Sequence, residues 1–296
     1  MFDLRYHVAS LVAVFLALII GIVVGVGISG KGFVSDSERS LLNQQIADLR
    51  GRLDSATRRS TELARAQRAA QTFVADAYPT LMAGRMAGIR IALVFVGHID
   101  GRTRSLVEQA LDDAGGEPPL RVRALKLPVE AADLHKALNP RPALASLATE
   151  RRVGELGRRL AQEIVTGGDA PLWRLLSANL IEERSGNDGP PVDAVVVART
   201  VPPQSGVTAR FLEGLYAGLA SSGVPAVGVE RTKAADSAVE AFAKRELSTV
   251  DDLDTPAGRL ALVLLLGGAT PGQYGVKQTA DDGILPPIAP LAAASG

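Results

Sequence analysis

The polar residues best placed to do chemistry lie in a Gly97-His98-Ile99-Asp100-Gly101 turn, directly after the apolar run Arg90–Val96. An imidazole and a carboxylate two residues apart could serve acid–base chemistry or ligate a metal. The turn lacks the G-x-G-x-x-G and G-x-x-x-x-G-K-[ST] spacings that cradle phosphates, and no G-x-S-x-G elbow occurs anywhere in the chain. His98 has only His7 and His135 as fellow histidines. No cysteine is present, which removes disulfides, thiolate sites and cysteine nucleophiles together. The weak metal candidates are therefore His98, Asp100 and His135, and no catalytic or cofactor-binding set stands out, so a non-enzymatic protein is expected. A second acidic group, Asp251, Asp252 and Asp254 in STVDDLDTPAGR, lacks the Gly and terminal Glu of a calcium hand. Asp and Thr ahead of Pro256 read instead as caps of a turn or helix start. Met82 and Met86, spaced i, i+4, could share a helix face, and packing is their expected role.

What must position these residues begins with Val8–Ile28, VASLVAVFLALIIGIVVGVGI, 21 residues without a charge. At ~1.5 Å per residue it spans roughly 30 Å, a hydrocarbon core. The run is longer than the apolar part of a secretory signal, and ISGKGFVSD follows it in place of a cleavage site, so an uncleaved anchor is expected over 8–29 after a short segment 1–7. Ala9, Ala13, Ala17, Gly21, Gly25 and Ser29 recur every fourth residue. Such a stripe, with Ala13, Ala17, Gly21 and Gly25 at its centre, lets another helix approach closely. Arg5 and the α-amino group precede the helix, and Lys31 and Arg39 follow it. This charge pattern does not settle orientation and leans slightly toward a cytoplasmic domain.

From 35 to 78 a proline-free, helix-forming stretch carries a heptad seam. Ile46, Leu53, Ser60, Gln67 and Val74 take the a positions, and Leu42, Leu49, Ala56, Leu63, Ala70 and Ala77 the d positions. The seam is aliphatic at Leu42, Ile46, Leu49 and Leu53 and diluted beyond, with Leu63 its last leucine. A coiled-coil stalk is expected, its partner a second copy or another membrane protein. The competing reading is one amphipathic helix lying on its own domain.

Residues 88–279 alternate short apolar runs with helical patterns, which predicts a Rossmann-like α/β domain with a mainly parallel sheet covered on both faces. Strands are expected at Arg90–Val96, Leu120–Leu127, Val192–Ala198, Val224–Val229 and Leu260–Leu266. Helices are expected from Gly101 through Ala114 and at Leu144–Thr166, Ala170–Glu183, Val207–Ser222 and Ala234–Leu247, with a loop at Ser185–Pro191. The Pro- and Ala-rich stretch 280–296 reads as a disordered tail. With 32 basic and 32 acidic residues, the chain has no field to draw it to nucleic acid. The 26 arginines against 6 lysines read as compositional bias.

Two stretches, YHVASLVAVFLALIIGIVVGVGI and STVDDLDTPAGRLALVLLLGGATPGQYGVK, resemble the actinobacterial-type family named for the mycobacterial copper transport protein MctB. The order of anchor, coiled coil and α/β domain is similar over nearly the whole chain. The resemblance implies a cell-membrane protein of the envelope with its large domain outside the cytoplasm and a role in copper export; copper as a ligand rests on it alone. Some relatives look like the SteB proteins, which implies, as an alternative, a scaffold regulating cell-wall remodelling and cell separation. The residues themselves favour an oligomeric or partner-paired protein. Copper(I) prefers thiolate, thioether or imidazole, which are scarce here, and one uncharged helix cannot form a transport path.

Overall fold

The computed structural model describes residues 4–29 and 36–289. Lys31 and residues 290–296 of the expected tail lie outside them. The chain divides into two compact units, 1–70 and 71–296.

In the first unit, α1 (Leu4–Ser29) contains a span, His7–Val26, long and apolar enough to cross a membrane. It begins at Leu4, earlier than the boundary at residue 8 read from charge. No heavy atom outside the helix comes within 4 Å of where a Cβ on Gly21 or Gly25 would sit. Helix α2 (Asp36–Met82) starts in this unit and is continuous for 47 residues. It runs past Pro79, four residues beyond the expected end of the stalk, and closes on a bond from Ala83 N to Pro79 O of 3.1 Å. Its apolar seam is open to solvent in the single chain. Leu42, Ile46, Leu49, Leu53 and Leu63 are between 44% and 72% exposed.

The second unit is a seven-stranded sheet wrapped by helices. In chain order its elements are β1 (Ile91–Val96), α3 (Gly101–Asp113), β2 (Arg121–Leu125), α4 (Ala131–Leu138), α5 (Pro142–Ala145), a 3-10 turn (Ser146–Ala148), α6 (Val153–Thr166), α7 (Pro171–Leu180) and β3 (Ile181–Gly186). There follow β4 (Ala194–Arg199), α8 (Gly206–Ala220), β5 (Ala226–Val229), α9 (Val239–Ala243), β6 (Ser248–Val250), α10 (Pro256–Leu266) and β7 (Gln273–Tyr274). The sheet order is β3-β2-β1-β4-β5-β6-β7, parallel throughout except for β3, which runs antiparallel to β2.

The central strands are buried on both faces, so alternate side chains feed two cores. Ala92, Val94 and Val96 of β1 join Val195 and Val197 of β4 under α4, α6, α7 and α8. Ile91, Leu93 and Phe95 join Val196 and Ala198 under α3, α10, Met82 and Met86. Both methionines are completely buried, as packing residues. Helices α6 and α8 meet backbone to backbone: a Cβ on Gly214 would lie 2.0 Å from the Gly154 carbonyl oxygen. Arg90 clips the start of β1 to that of β4 with a two-pronged pair to Asp193, at 2.9 Å on each prong. Two arginines are interior: Arg121 Nη1 donates to Ile164 O at 3.1 Å, and Arg123 Nη1 to Ser185 O at 2.9 Å.

Several sequence expectations need correction. Leu260–Leu266 is the body of α10, not a strand. A short apolar run does not distinguish a strand from a helix buried on all sides, and every residue from Leu260 to Leu266 is buried. The sheet instead ends with β6 and β7. Ala170–Glu183 is helical only to Leu180, after which Ile181–Gly186 forms the antiparallel edge. Leu144–Thr166 is broken by the turn around Thr149–Arg152. Ala234–Leu247 keeps only the short α9, because Ser237 and Ala238 are turned back to bond Glu230. Residues 280–289 are tied down: Asp282 accepts from Gln273 N at 2.7 Å, and Gly283 O accepts from Gly275 N at 3.0 Å.

Candidate functional site

Strands β1 and β4 are neighbours, yet the chain leaves β1 toward α3 on one face and β4 toward α8 on the other. Connections that diverge in this way open a crevice at the carboxyl ends of the strands, where ligands bind in open α/β sheets. A crevice of about 220 Å³ lies there, walled by residues at and just beyond the ends of β1, β4 and β5. His98 and Asp100 come from the first, Arg199 and Thr200 from the second, and Glu230 and Arg231 from the third, with Asp236 at the edge.

Each charged group has a local reason for its place. Asp100 caps α3, its carboxylate accepting from Thr103 N at 3.2 Å and Thr103 Oγ1 at 2.5 Å. Burial pushes this carboxyl up, but the Thr103 bonds and the Arg231 guanidinium outweigh it and hold it below the usual carboxylate range. Arg231 Nη2 lies 3.6 Å from Asp100 Oδ2. Glu230 is buried, accepts from Ala238 N at 2.7 Å and from Ser237 Oγ at 2.8 Å, and pairs with Lys277 Nζ. Arg199 Nη2 donates to Ser237 O at 2.6 Å. Thr200 Oγ1 donates to the His98 carbonyl at 2.8 Å. The hydroxyl therefore serves the backbone of the turn, not the imidazole, so no nucleophile–base pair is formed.

The sequence candidates are only partly brought together. His98 and Asp100 share the crevice, with the imidazole exposed and without a hydrogen-bond or ion-pair partner among the described residues. His135 sits exposed on α4 and does not line the crevice, and His7 belongs to α1 in the other unit. Met82 and Met86 are closed into the core. Among the described residues there is no group of three or more His, Cys, Asp and Glu side chains that could hold a metal ion. Among the described residues of the second unit, the soft donors that copper(I) prefers are thus apart, His98 at the crevice, His135 on α4 and the two methionines in the core.

The acidic block after β6 serves as structural caps. Asp251, fully buried, accepts from Val276 N at 2.8 Å and from Lys277 N at 3.2 Å. Asp252 Oδ2 accepts from Thr255 Oγ1 at 2.8 Å, and Thr255 in turn caps α10 by accepting from Gly258 N at 2.9 Å. Asp254 accepts from Thr232 N at 2.7 Å and Thr232 Oγ1 at 2.9 Å. Burial raises its carboxyl, but the Thr232 bonds and Arg231 bring it below the ordinary value. For Asp252 burial prevails over the Thr255 bond, and with Asp251 and Asp254 adding to it the carboxyl is pushed up. The glycines of the block follow from these contacts: a Cβ on Gly258 would lie 2.1 Å from Asp252 O.

Sequence reasoning missed Arg199, Thr200, Glu230, Arg231 and Asp236 as crevice residues. The available signal was positional, since Arg199-Thr200 ends the VDAVVVA run and Glu230-Arg231 ends AVGV. Knowing which strands are adjacent was needed to use it.

Residues 1–285 match the protein family described as "Copper transport outer membrane protein, MctB". Proteins named "Copper transporter MctB" from Mycobacterium tuberculosis and Mycobacterium bovis are 26% identical over 320 residues. These alignments cover 93% of this chain and 96% of the relatives. With the family match running from the apolar helix through the capped acidic block to the end of the sheet, the chain belongs to the MctB copper transport family.

Proposed function

We propose that this protein is a single-pass, membrane-anchored envelope component of copper export, working as an oligomer or paired with a second membrane protein, with its α/β domain outside the cytoplasm. The observation that carries the reading is the family match over residues 1–285. Copper is the cargo of the system, and among the described residues no group of three or more His, Cys, Asp and Glu side chains offers it a site. The 21 residues from Val8 to Ile28 carry no charge, and transmembrane ion paths are marked by polar or ionisable groups. The path is therefore supplied by an assembly or by a partner. Two features support association: the small-residue stripe of α1, and the apolar seam of α2, whose leucines are exposed in the single chain. Burying such a seam in a second helix stabilises by roughly 25 cal/mol for each Å² removed from water.

The test is copper content and copper tolerance in a strain lacking the gene. Raised cell copper and sensitivity, both reversed by the full-length chain, are the expected results. Unchanged content and tolerance would sink the reading.

A further inference from the structure

Helix α2 is 47 residues long, yet every residue from Arg39 to Leu63 is exposed in the single chain. A helix of this kind is stabilised mainly by packing of its apolar stripe, not by propensity alone. From Leu42 to Val74 the stripe runs through more than four heptads, roughly 50 Å, and about three to four suffice for a coiled coil. Beyond that it changes partner within the chain. Val74, Tyr78 and Leu81 continue it at i, i+4 and i+7. There Tyr78 and Leu81 pack against the core of the α/β domain, and Tyr78 Oη donates to Asp113 Oδ2 at 2.8 Å. The uncovered stripe therefore ends where the domain takes over the same face.

The residues of the stripe answer one another when two copies run side by side in the same direction, because each layer then pairs a residue with its own kind. Ile46 and Val74 at a, with Leu42, Leu49 and Leu63 at d, form the distribution that favours two strands. Gln67, also at a, meets Gln67 of the second copy, and each of two carboxamides can donate and accept. Against an apolar partner the same side chain would be left unbonded. Ser60 has the same need and the same answer. The flanks agree. In a parallel pair Arg50 faces Gln45 of the second copy, Arg52 faces Thr57 and Arg59 faces Ala64, so no arginine is set against another. Arg52 is already paired with Asp48 of its own helix at 2.9 Å. Direction follows from the anchor. Helix α2 begins at Asp36, soon after α1 ends at Ser29, so copies held in one membrane enter their stalks from the same end.

We infer that the partner of α2 is a second copy of this chain, in a parallel, in-register, two-stranded coiled coil from about Leu42 to Val74. This narrows the association proposed above to one partner and rests on its membrane anchor. Every rod then carries two α/β domains.

The chain has no cysteine, so single thiols can be placed at chosen positions. Ala56→Cys and Ala70→Cys put small thiols at d, and Arg58→Cys puts one on the opposite face. The full-length variants are oxidised with diamide in native membranes. Most of each d variant should become a disulfide-linked species of twice the chain mass, since the bond needs Cα atoms within about 4.4–6.8 Å. Arg58→Cys should remain single. When Ala56→Cys and Ala70→Cys copies carrying different tags are co-expressed, the mixed product should be at least tenfold rarer than either self-product. The two positions lie roughly 21 Å apart along the rod. No product at either d position, equal cross-linking at Arg58→Cys, a cross-link to a different protein, or abundant mixed product would each overturn the inference. So would a detergent-solubilised parent whose mass by light scattering is not that of two chains. The cross-links are read without copper, so normal copper content in the deletion strain would leave them standing. Their failure would leave the copper reading intact, with a second membrane protein as the partner.

Discussion

The carboxylate of Asp251 occupies the space that a side chain on Gly275 would need. Gly275 has φ +142°, and a Cβ built on it would fall 2.0 Å from Asp251 Oδ1. The absent side chain lets the carboxylate reach the amides of Val276 and Lys277, and so ties the end of β6 to the segment after β7. Gly275→Ala should therefore cost on the order of 3 kcal/mol, combining backbone strain with displacement of a buried carboxylate. Gly223→Ala is the control: its φ is also positive, at +82°, but the space is open. That change should cost only about 1 kcal/mol. Urea unfolding of the two variants measures the difference, and equal costs would contradict the steric account.

Asp252 makes a pH prediction. Its carboxyl is fully buried, Oδ1 has no partner, and burial raises its pKa above the ordinary 3.8. A group raised in the folded state favours folding below its unfolded pKa, and that contribution is lost as pH rises through the folded value. Asp252→Asn removes this titration. The variant should gain stability relative to the parent between pH 4 and neutrality, measured by melting temperature at each pH. A gap that is flat across this window would show that Asp252 does not titrate there.

For the seam of α2, Leu49→Glu combined with Leu53→Glu places two charges where apolar contacts are needed. The double variant should run as a monomer in detergent by light scattering, while the parent runs as an assembly. Both positions are more than 60% exposed in the single chain, at 63% and 66%, so the folded domain should melt unchanged. An assembly of unaltered mass in the variant would remove the seam from consideration.

Orientation can be measured directly because the chain has no cysteine. Glu117→Cys, in the exposed turn after α3, introduces a single thiol. A maleimide that cannot cross membranes should label it in intact cells whose outer layers are permeable to small molecules. Labelling that requires lysis would place the domain in the cytoplasm, where the flanking charges slightly point.

How much of this was legible in the sequence depended on what each segment buries. Arg90–Val96 and Val192–Ala198 declare themselves as central strands because both faces are covered from Ile91 to Val96 and from Ala194 to Ala198, where no residue is polar. Leu260–Leu266 has the same signature for a different reason, since α10 is surrounded on every side. The informative residues there are the Asp and Thr ahead of Pro256, which read as caps of a turn or helix start; Thr255 caps α10, and Pro256 opens it. Ile181–Gly186 (IEERSG) escaped notice because an edge strand exposed along nearly its whole length carries no apolar alternation. Met82 and Met86 were read correctly as packing. At the crevice, His98 and Asp100 were found because a single turn carries both. Arg199 and Glu230 were not, because their convergence depends on β1, β4 and β5 lying side by side, a long-range fact that no local pattern encodes.

The two margins of the sheet have a consequence for how copies of this protein can meet. A bare strand margin invites another strand, and chains that present one tend to stack without limit. Here β3 exposes Glu182, Glu183 and Arg184 at one margin, where an incoming strand would have to take three charged side chains out of water. At the other, β7 is only two residues long, and its Gln273 is already bonded in both directions by Asp282, through Gln273 N to the carboxylate and Asp282 N to Gln273 O. Runaway polymerisation through the sheet is thereby discouraged at both ends, and a protein crowded into the plane of a membrane can reach high local density without its domains fusing into fibres.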